Sequence, residues 1–383
     1  MSTTSPPTTD AMSCTTPFAR LAAWPARAIL AALFAFVLLA LVVSLSPLAQ
    51  GFADKPHRGP GDVALYRAEV DRIAAGESYY VVASEELRQR GYPTRSAFNW
   101  RTPLPMWLIG NLPHPVWGKV LLGGLAVVAL LMSFPFLVRE GGLGVSLVGM
   151  LLLIGALLPC WLGELYVMPM LWAGALLTIS VAALGSGRTK LGVASGIAAL
   201  FMRDLAGPYC VFQGAYALWQ RRWREAALWT AGLAAYAVYF AWHVWNVMAL
   251  QTPDATAHED GWVRFGGLAF LVSLAQMNGF LLTLPQWVSA IYLPLAMLGL
   301  ASWSSDTGRR TALVTLLFLV LFAVVGQPIN QYWGSLIAPL LCLGAARSPW
   351  ALRDLWLAAR ATQSRGSATV KMVGESSGGQ IAS

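Results

Sequence analysis

The chain has 383 residues, of which 57% are hydrophobic and only 11% are charged. Soluble domains average about 25% charged residues, whereas apolar runs of about 20 residues, long enough to cross roughly 30 Å of hydrocarbon, recur here. The net charge of +8 comes largely from Arg residues in short loops between these runs, where they act as topology signals and not as a polyanion-binding face. The composition excludes a soluble or nucleic-acid-binding protein and, without the strand alternation of a barrel, predicts an all-α polytopic membrane protein.

Residues 1–18 are rich in Ser, Thr and Pro and are predicted to be a disordered, cytoplasmic N-terminus. Arg20 and Arg27 precede an apolar run over 28–48 that is too long for a signal peptide and lacks a convincing cleavage site. We interpret this run as a signal anchor. The polar residues 49–115 then form a long first extracytoplasmic loop.

The first loop contains two amphipathic segments. Asp62 opens the first, in which Tyr66 and later apolar residues recur at spacings of four and three, as on one face of a helix. Gly76 ends this helix in the manner of a C-cap, and a second helix is predicted over 79–90, before Gly91. We expect both helices to lie at the interface, with their apolar faces toward the membrane.

The rest of the chain is predicted to be one membrane domain, residues 19–360, followed by a disordered cytoplasmic tail, 361–383. Two short helices meet at Arg203-Asp204, between two basic segments that both belong on the cytoplasmic side. Residues 266–303 hold either one span or two, and the basic Arg309-Arg310 pair favours one. Further spans are predicted over 116–138, 144–161, 165–184, 226–250, from about 288, 311–325 and 334–346. With the signal anchor and the two short helices at Arg203-Asp204, the chain has about ten predicted transmembrane helices.

This topology places several polar groups that are far apart in the sequence on the same, outer side of the membrane. They are the first loop, Glu164, the Arg203-Asp204 tip and residues 330–332. Ionisable residues at membrane depth are functional candidates by default. Their convergence predicts a site at the outer interface.

The motifs of the first loop resemble those of a known enzyme class. Gly61-Asp62 with Tyr66, the sequence Gly-Glu-Ser-Tyr-Tyr over 76–80, and Arg-Thr-Pro-Leu over 101–104 are similar to the GT-C class of membrane glycosyltransferases. Within that class the likeness is to mannosyltransferase-like bacterial families that use polyprenyl-phosphate sugars. The resemblance implies a multi-pass protein of the bacterial inner membrane, with both termini cytoplasmic. It also implies a lipid or glycan acceptor outside the cytoplasm, with Asp62 matching the essential Asp of the family loop.

The chain departs from the pattern of this class at several positions. Val63 follows Asp62 where a second acid is common, Glu164 stands where related chains often have Gln or Asp, and Arg203 replaces a common Lys. These differences leave the sugar and the catalytic pairing open.

The chemistry of transfer suggests roles for these residues. A carboxylate such as Asp62 can take the proton of an acceptor hydroxyl, although an Asp before an amphipathic run is also a common helix N-cap. Arg203 or Arg101 can stabilise the leaving phosphate, although Arg203 could simply pair with Asp204, and Arg101 could anchor at the headgroups. Glu164 is a candidate second acid. The full set of predicted substrate-binding residues is Arg101, Arg203, Asp204, Tyr66, Asn99 and Tyr332.

The four cysteines, Cys14, Cys160, Cys210 and Cys342, and the four histidines lack metal-like spacing, so we expect no metal or cofactor. Two other functions stay open. A transporter or flippase of lipid-linked sugars is one, although such folds tend to show paired broken helices in two repeats. A non-catalytic GT-C-like assembly subunit is the other.

Overall fold

The computed structural model describes residues 14–46, 61–257 and 264–361, and within these ranges the chain is all-helical with no strand. The predicted disorder of residues 1–13 and 362–383, and the loop residues 49–60, lie outside the described residues. Four helices in these ranges are long and apolar enough to cross a membrane, or five if one bent pair counts as a single span. The prediction of an all-α chain is confirmed, and these four or five helices are the ones that could span a membrane.

Fourteen α-helices make up the described part of the chain. In chain order they are α1 (Ala23–Ser44), α2 (Gly61–Ala74), α3 (Tyr79–Gln89), α4 (Leu104–Gly110), α5 (Val116–Leu157), α6 (Pro169–Gly185), α7 (Thr189–Met202), α8 (Gly207–Trp219), α9 (Trp223–Leu250), α10 (Gly267–Ala275), α11 (Gln286–Ala301), α12 (Asp306–Val324), α13 (Gly334–Ala345) and α14 (Ser348–Arg360).

The longest helix, α5, is a hairpin of two antiparallel arms. Gly142 interrupts it with φ 79° and ψ −178°, a conformation outside the helical region that glycine adopts without a Cβ penalty. A Cβ on Gly123 would lie 2.9 Å from Cδ1 of Trp161, whereas a continuous helix would separate the two residues by more than about 50 Å. The break agrees with the predicted separation of two spans near residue 140.

Two further breaks match the sequence. Helices α7 and α8 meet at Arg203, which ends α7 in an extended conformation with φ −151° and ψ 118°. Between residues 266 and 303, α10 has 9 residues and α11 has 16. At 1.5 Å per residue, α10 covers only about 13 Å and α11 about 24 Å, so this stretch does not hold two full-length spans, and α11 is itself shorter than the four candidate spans.

Helices α2 and α3 form where predicted, and the glycines that end them have positive φ, 93° at Gly76 and 71° at Gly91. Their apolar faces, however, are buried against protein, where the sequence predicted contact with the membrane. Val70 and Ile73 pack beside Gly110 at the end of α4. They belong to one apolar cluster that extends to side chains of α5 and α6. The first-loop helices are therefore fixed on the bundle and can position side chains rigidly.

The N-terminal residues 14–18 are ordered, contrary to the prediction of disorder up to residue 18. Thr16 donates two hydrogen bonds, from its backbone N–H and its hydroxyl, to Oδ2 of Asp354, at 2.7 and 2.9 Å. Arg353 of α14 donates to the carbonyl of Cys14 at 2.7 Å. These contacts satisfy the polar atoms of a segment that composition alone marked as unstructured.

A second group of ion pairs, one buried and one partly exposed, lies at a separate place in the bundle. Arg310 of α12 is almost fully buried and donates to both carboxylate oxygens of Glu225 in α9, at 2.6 and 3.2 Å. Arg222 pairs with Asp306 at 2.8 Å. The sequence predicted both arginines to be cytoplasmic, on the opposite side from the first loop.

Candidate functional site

Arg101 is the centre of the polar cluster that the first-loop helices and the bundle form together. Its Nε donates to the hydroxyl of Tyr66 at 2.8 Å, one Nη to the carbonyl of Phe98 at 3.1 Å, and the other Nη to the hydroxyl of Tyr332 at 3.4 Å. All three acceptors are uncharged oxygens. No carboxylate among the described residues forms an ion pair with this largely buried guanidinium, so its charge remains available to an anion.

Asp62 lies beside Arg101 in the first turn of α2. Its Oδ1 accepts a hydrogen bond from the hydroxyl of Tyr92 at 2.8 Å. Asp62 is the second residue of α2 as the structure describes it, and the residues before Gly61 lie outside the described ranges. A carboxylate in the first turn is still favoured by the helix dipole. Tyr92, which the sequence analysis missed, holds one oxygen of Asp62 in place.

Tyr66 connects the two charged residues. Burial raises the pKa of its phenol, while the charge of Arg101 opposes that shift and the charge of Asp62 adds to it. Tyr66 lies four residues after Asp62, so the two side chains share one face of α2. Because its pKa is raised, the hydroxyl of Tyr66 is neutral. Its hydrogen bond with Nε of Arg101 fixes the orientation of the Arg101 side chain.

Arg203 and Asp204 approach the same cluster from the break between α7 and α8. Arg203 is buried and pairs with Oδ1 of Asp204 at 3.2 Å. Arg203 also interacts electrostatically with Tyr66, and Asp204 with Arg101. The structure thus brings together all of the predicted site residues except Glu164 and Asn99.

Glu164 belongs to a different set of charges. Lys119 donates to its Oε1 at 2.8 Å and Arg67 to its Oε2, and the carboxylate is half-exposed. The hydrogen bond from Lys119, helped by Arg67, lowers the pKa of Glu164 against the effect of desolvation. Glu164 belongs to a half-exposed ion-pair network with Lys119 and Arg67, and the structure does not place it beside Arg101.

Glu69 is a site residue that the sequence analysis missed. It lies seven residues after Asp62 and three after Tyr66, on the same face of α2, and only 2% of its surface is exposed. Burial raises the pKa of its carboxyl to about 8, against an opposing effect of Arg101. Glu69 is therefore mostly protonated at pH 7 and adds little negative charge near Arg101.

Three polar atoms of this region are buried without a hydrogen-bond partner among the described residues: Glu69 Oε2, Asn99 Nδ2 and Tyr236 Oη. Tyr236 interacts electrostatically with Asp204, and Asn99 precedes Arg101 by two residues. Buried polar atoms ordinarily have partners. These atoms are candidates to contact a polar substrate, which is the role the sequence predicted for Asn99.

The arrangement combines one buried and one partly buried guanidinium group, Arg203 and Arg101, with a carboxylate in the first turn of a helix. This set is suited to binding an anion and accepting a proton. In the described part of the chain, no group of three His, Cys, Asp or Glu side chains could hold a metal ion. Comparisons with protein families, curated proteins and solved structures found no match to this chain.

Proposed function

We propose that this chain is an integral membrane glycosyltransferase that moves a sugar, a hexose or mannose-like, from a polyprenyl-phosphate donor to a lipid or glycan acceptor outside the cytoplasm. The observation that carries this proposal is the position of Arg101. It is a largely buried cation held by neutral oxygens, with Asp62 and Arg203 close enough to interact with the same tyrosine. A site of this kind is preorganised to bind an anionic group of the substrate.

Arg101 binds the phosphate of the donor, and Arg203 adds a second positive charge. The planar fork of an arginine matches two phosphate oxygens at once. As the glycosidic bond breaks, charge builds up on the phosphate, and cations already in place stabilise that charge without rearranging. The neutral state of Glu69 favours this role, because an ionised carboxylate there would compete with the phosphate for Arg101.

Asp62 is the general base. An acceptor hydroxyl attacks the anomeric carbon, the bond from that carbon to the phosphate oxygen breaks, and polyprenyl phosphate leaves with the bonding electrons. The hydroxyl proton passes to Asp62. The hydrogen bond from Tyr92 occupies Oδ1, which leaves Oδ2 as the oxygen that accepts the proton.

The proposed arrangement in the membrane follows the sequence topology. Counting the two arms of α5 separately, and with α10 too short to cross, α1, α5, α6, α7, α8, α9, α11, α12 and α13 supply about ten membrane-embedded helices. The termini lie in the cytoplasm, and the cluster around Arg101 faces the outer side of the bacterial inner membrane. Arg310, Glu225 and Arg222 belong to the inner side in this arrangement.

The test is sugar transfer by Asp62→Asn, with Asp71→Asn as the matched control. Asp71 lies on the same helix and is exposed beside Arg67. Membrane vesicles receive polyprenyl-phospho-[¹⁴C]mannose, and both labelled product and released polyprenyl phosphate are measured. We expect Asp62→Asn to lose at least about 100-fold in rate, as for the loss of a general base, and Asp71→Asn to keep the wild-type rate.

A folded Asp62→Asn protein that still transfers sugar at the wild-type rate would overturn the assignment of the base. Wild-type protein that moves the labelled donor across the bilayer without releasing polyprenyl phosphate would show a flippase instead.

A further inference from the structure

A cavity separate from the cluster around Arg101 opens beside the first-loop helices. It has a volume of about 590 Å³, within the range of roughly 300–1,000 Å³ typical of small-molecule sites. It lies between the turn that joins α2 to α3, helix α4 and helix α9. Five aromatic side chains form its walls, and we call it the aromatic groove: Tyr79, Tyr80, Trp107, Tyr239 and Trp242.

The three tyrosine rings of the groove are held in fixed orientations. Tyr79 donates its hydroxyl to the carbonyl of Arg101, and the hydroxyl of Tyr239 accepts from the backbone N–H of Leu104 at 3.0 Å. The Tyr80 hydroxyl is 3.1 Å from Nδ1 of His243. Because each hydroxyl is bound to the protein, the ring faces are presented to the groove without further ordering, which lowers the entropy lost when a ligand binds.

Polar groups stand between these rings. Asn111 donates to the carbonyl of Trp107 at 2.8 Å, and Asn246 to that of Trp242 at 2.7 Å. A side-chain amide has a second N–H and a carbonyl oxygen, so each can also bind a ligand hydroxyl. Ser78 also lines the groove, at the N-cap position of α3, where its hydroxyl does not cap the helix.

This lining selects a class of ligand. No Lys or Arg lines the groove, so it does not suit a phosphate. A plain hydrocarbon chain would bury the amides and Ser78 without partners, which is unfavourable. A sugar ring has apolar C–H faces that stack on aromatic rings and hydroxyls at its edge that pair with amides. The aromatic rings and the amides of the groove then each meet a matching surface of the sugar.

We propose that the aromatic groove binds a neutral carbohydrate ring, and, resting on the proposed function, that this ring belongs to the acceptor glycan. The groove is next to the reacting centre. Tyr79 in its wall is bonded to the carbonyl of Arg101, and Pro103 and Leu104, just after Arg101, also line it. An acceptor sugar seated there extends toward the donor phosphate.

The test is saturation-transfer NMR of the full chain in lipid nanodiscs with mannobiose as the probe, after sugar-headed detergents have been removed. Trp242→Ala and Trp107→Ala each take away one stacking face, and we expect the Kd for mannobiose to rise about fivefold or more. Trp242→Phe keeps a ring and should bind nearly as wild type, which separates stacking from a folding defect. Trp245→Ala is the matched control, because Trp245 is on the same helix, 76% exposed, and outside the groove.

Three results would overturn the proposal: no mannobiose binding by wild type, equal binding by wild type and both alanine variants, or displacement of mannobiose by farnesol, which would indicate an isoprenoid groove. Asp71 does not line the groove and lies outside the proposed catalytic site, so Asp71→Asn should bind mannobiose as wild type does. If wild-type protein binds mannobiose in the groove but transfers no sugar, the proposed function fails while the carbohydrate site stands.

Discussion

Replacing Glu69 with Gln tests the electrostatics of the site most sharply, because the structure gives the size and sign of the effect. In the folded protein the pKa of Glu69 is about 8, and its ordinary value is 4.5. The folded state therefore holds a proton that the unfolded state releases between these two pH values. The carboxyl makes its full contribution to stability below pH 4.5, and that contribution is lost as the pH rises through 8.

The difference between the two pKa values corresponds to on the order of 5 kcal/mol. Between pH 6 and pH 9 the contribution of Glu69 to the free energy of unfolding falls by about 3 kcal/mol. The variant Glu69→Gln has the shape of the neutral acid and cannot ionise. We expect its free energy of unfolding, relative to wild type, to increase by about 3 kcal/mol between pH 6 and pH 9.

The assay is equilibrium unfolding in mixed detergent and SDS micelles, followed by tryptophan fluorescence at both pH values. Glu77→Gln is the control from the same region. Glu77 is exposed, and its hydrogen bond to Arg72 lowers its pKa, so it stays ionised from pH 6 to pH 9. Parallel pH dependence of wild type and Glu69→Gln would refute the reasoning, because it would show that Glu69 is already ionised at pH 6.

Three further substitutions test the site and the packing. Arg101→Lys removes the planar fork, and we expect the KM for the polyprenyl-phosphate donor in the transfer assay to rise roughly tenfold or more; an unchanged KM would remove Arg101 from the phosphate site. A Cβ on Gly299 would lie 1.8 Å from the carbonyl oxygen of Gly344. Gly299→Ala should therefore lower the free energy of unfolding by about 1–3 kcal/mol. A variant as stable as wild type would contradict the close approach of α11 and α13. Arg310→Met removes the close, bidentate partner of the buried Glu225 and leaves only Arg222 at 3.9 Å, so it should cost about 3–5 kcal/mol in the same unfolding assay. Adding Glu225→Leu should restore most of that loss, and a double variant no more stable than the single one would count against the pair.

Much of the helical framework could be predicted from the sequence, because its signals are local. Apolar periodicity after Asp62 and the glycines at positions 76 and 91 mark α2 and α3, and the structure ends both helices there. The charged pair at 203–204 inside an apolar stretch marks the break between α7 and α8. The ordering of Thr16 could not be predicted, because it depends on Asp354, more than 300 positions away.

The site was predicted in part for the same physical reason. Topology signals place residues on one side of a membrane, and this was enough to group Asp62, Arg101 and Arg203. They do not determine side-chain pairing, so Glu164 was grouped with the site although Lys119 and Arg67 bind it elsewhere. Glu69 had a usable signal, since its spacing of seven from Asp62 puts both carboxyls on one helical face. Its burial could not be seen, because an acid in an amphipathic helix ordinarily faces water.

The most direct measurement is a density map of the protein with bound polyprenyl phosphate. The account predicts the phosphate within hydrogen-bond distance of the Arg101 guanidinium, with Arg203 beside it and Asp62 on the side where the acceptor approaches. A phosphate bound instead between Arg67 and Lys119, or beside Arg222 and Arg310, would contradict it.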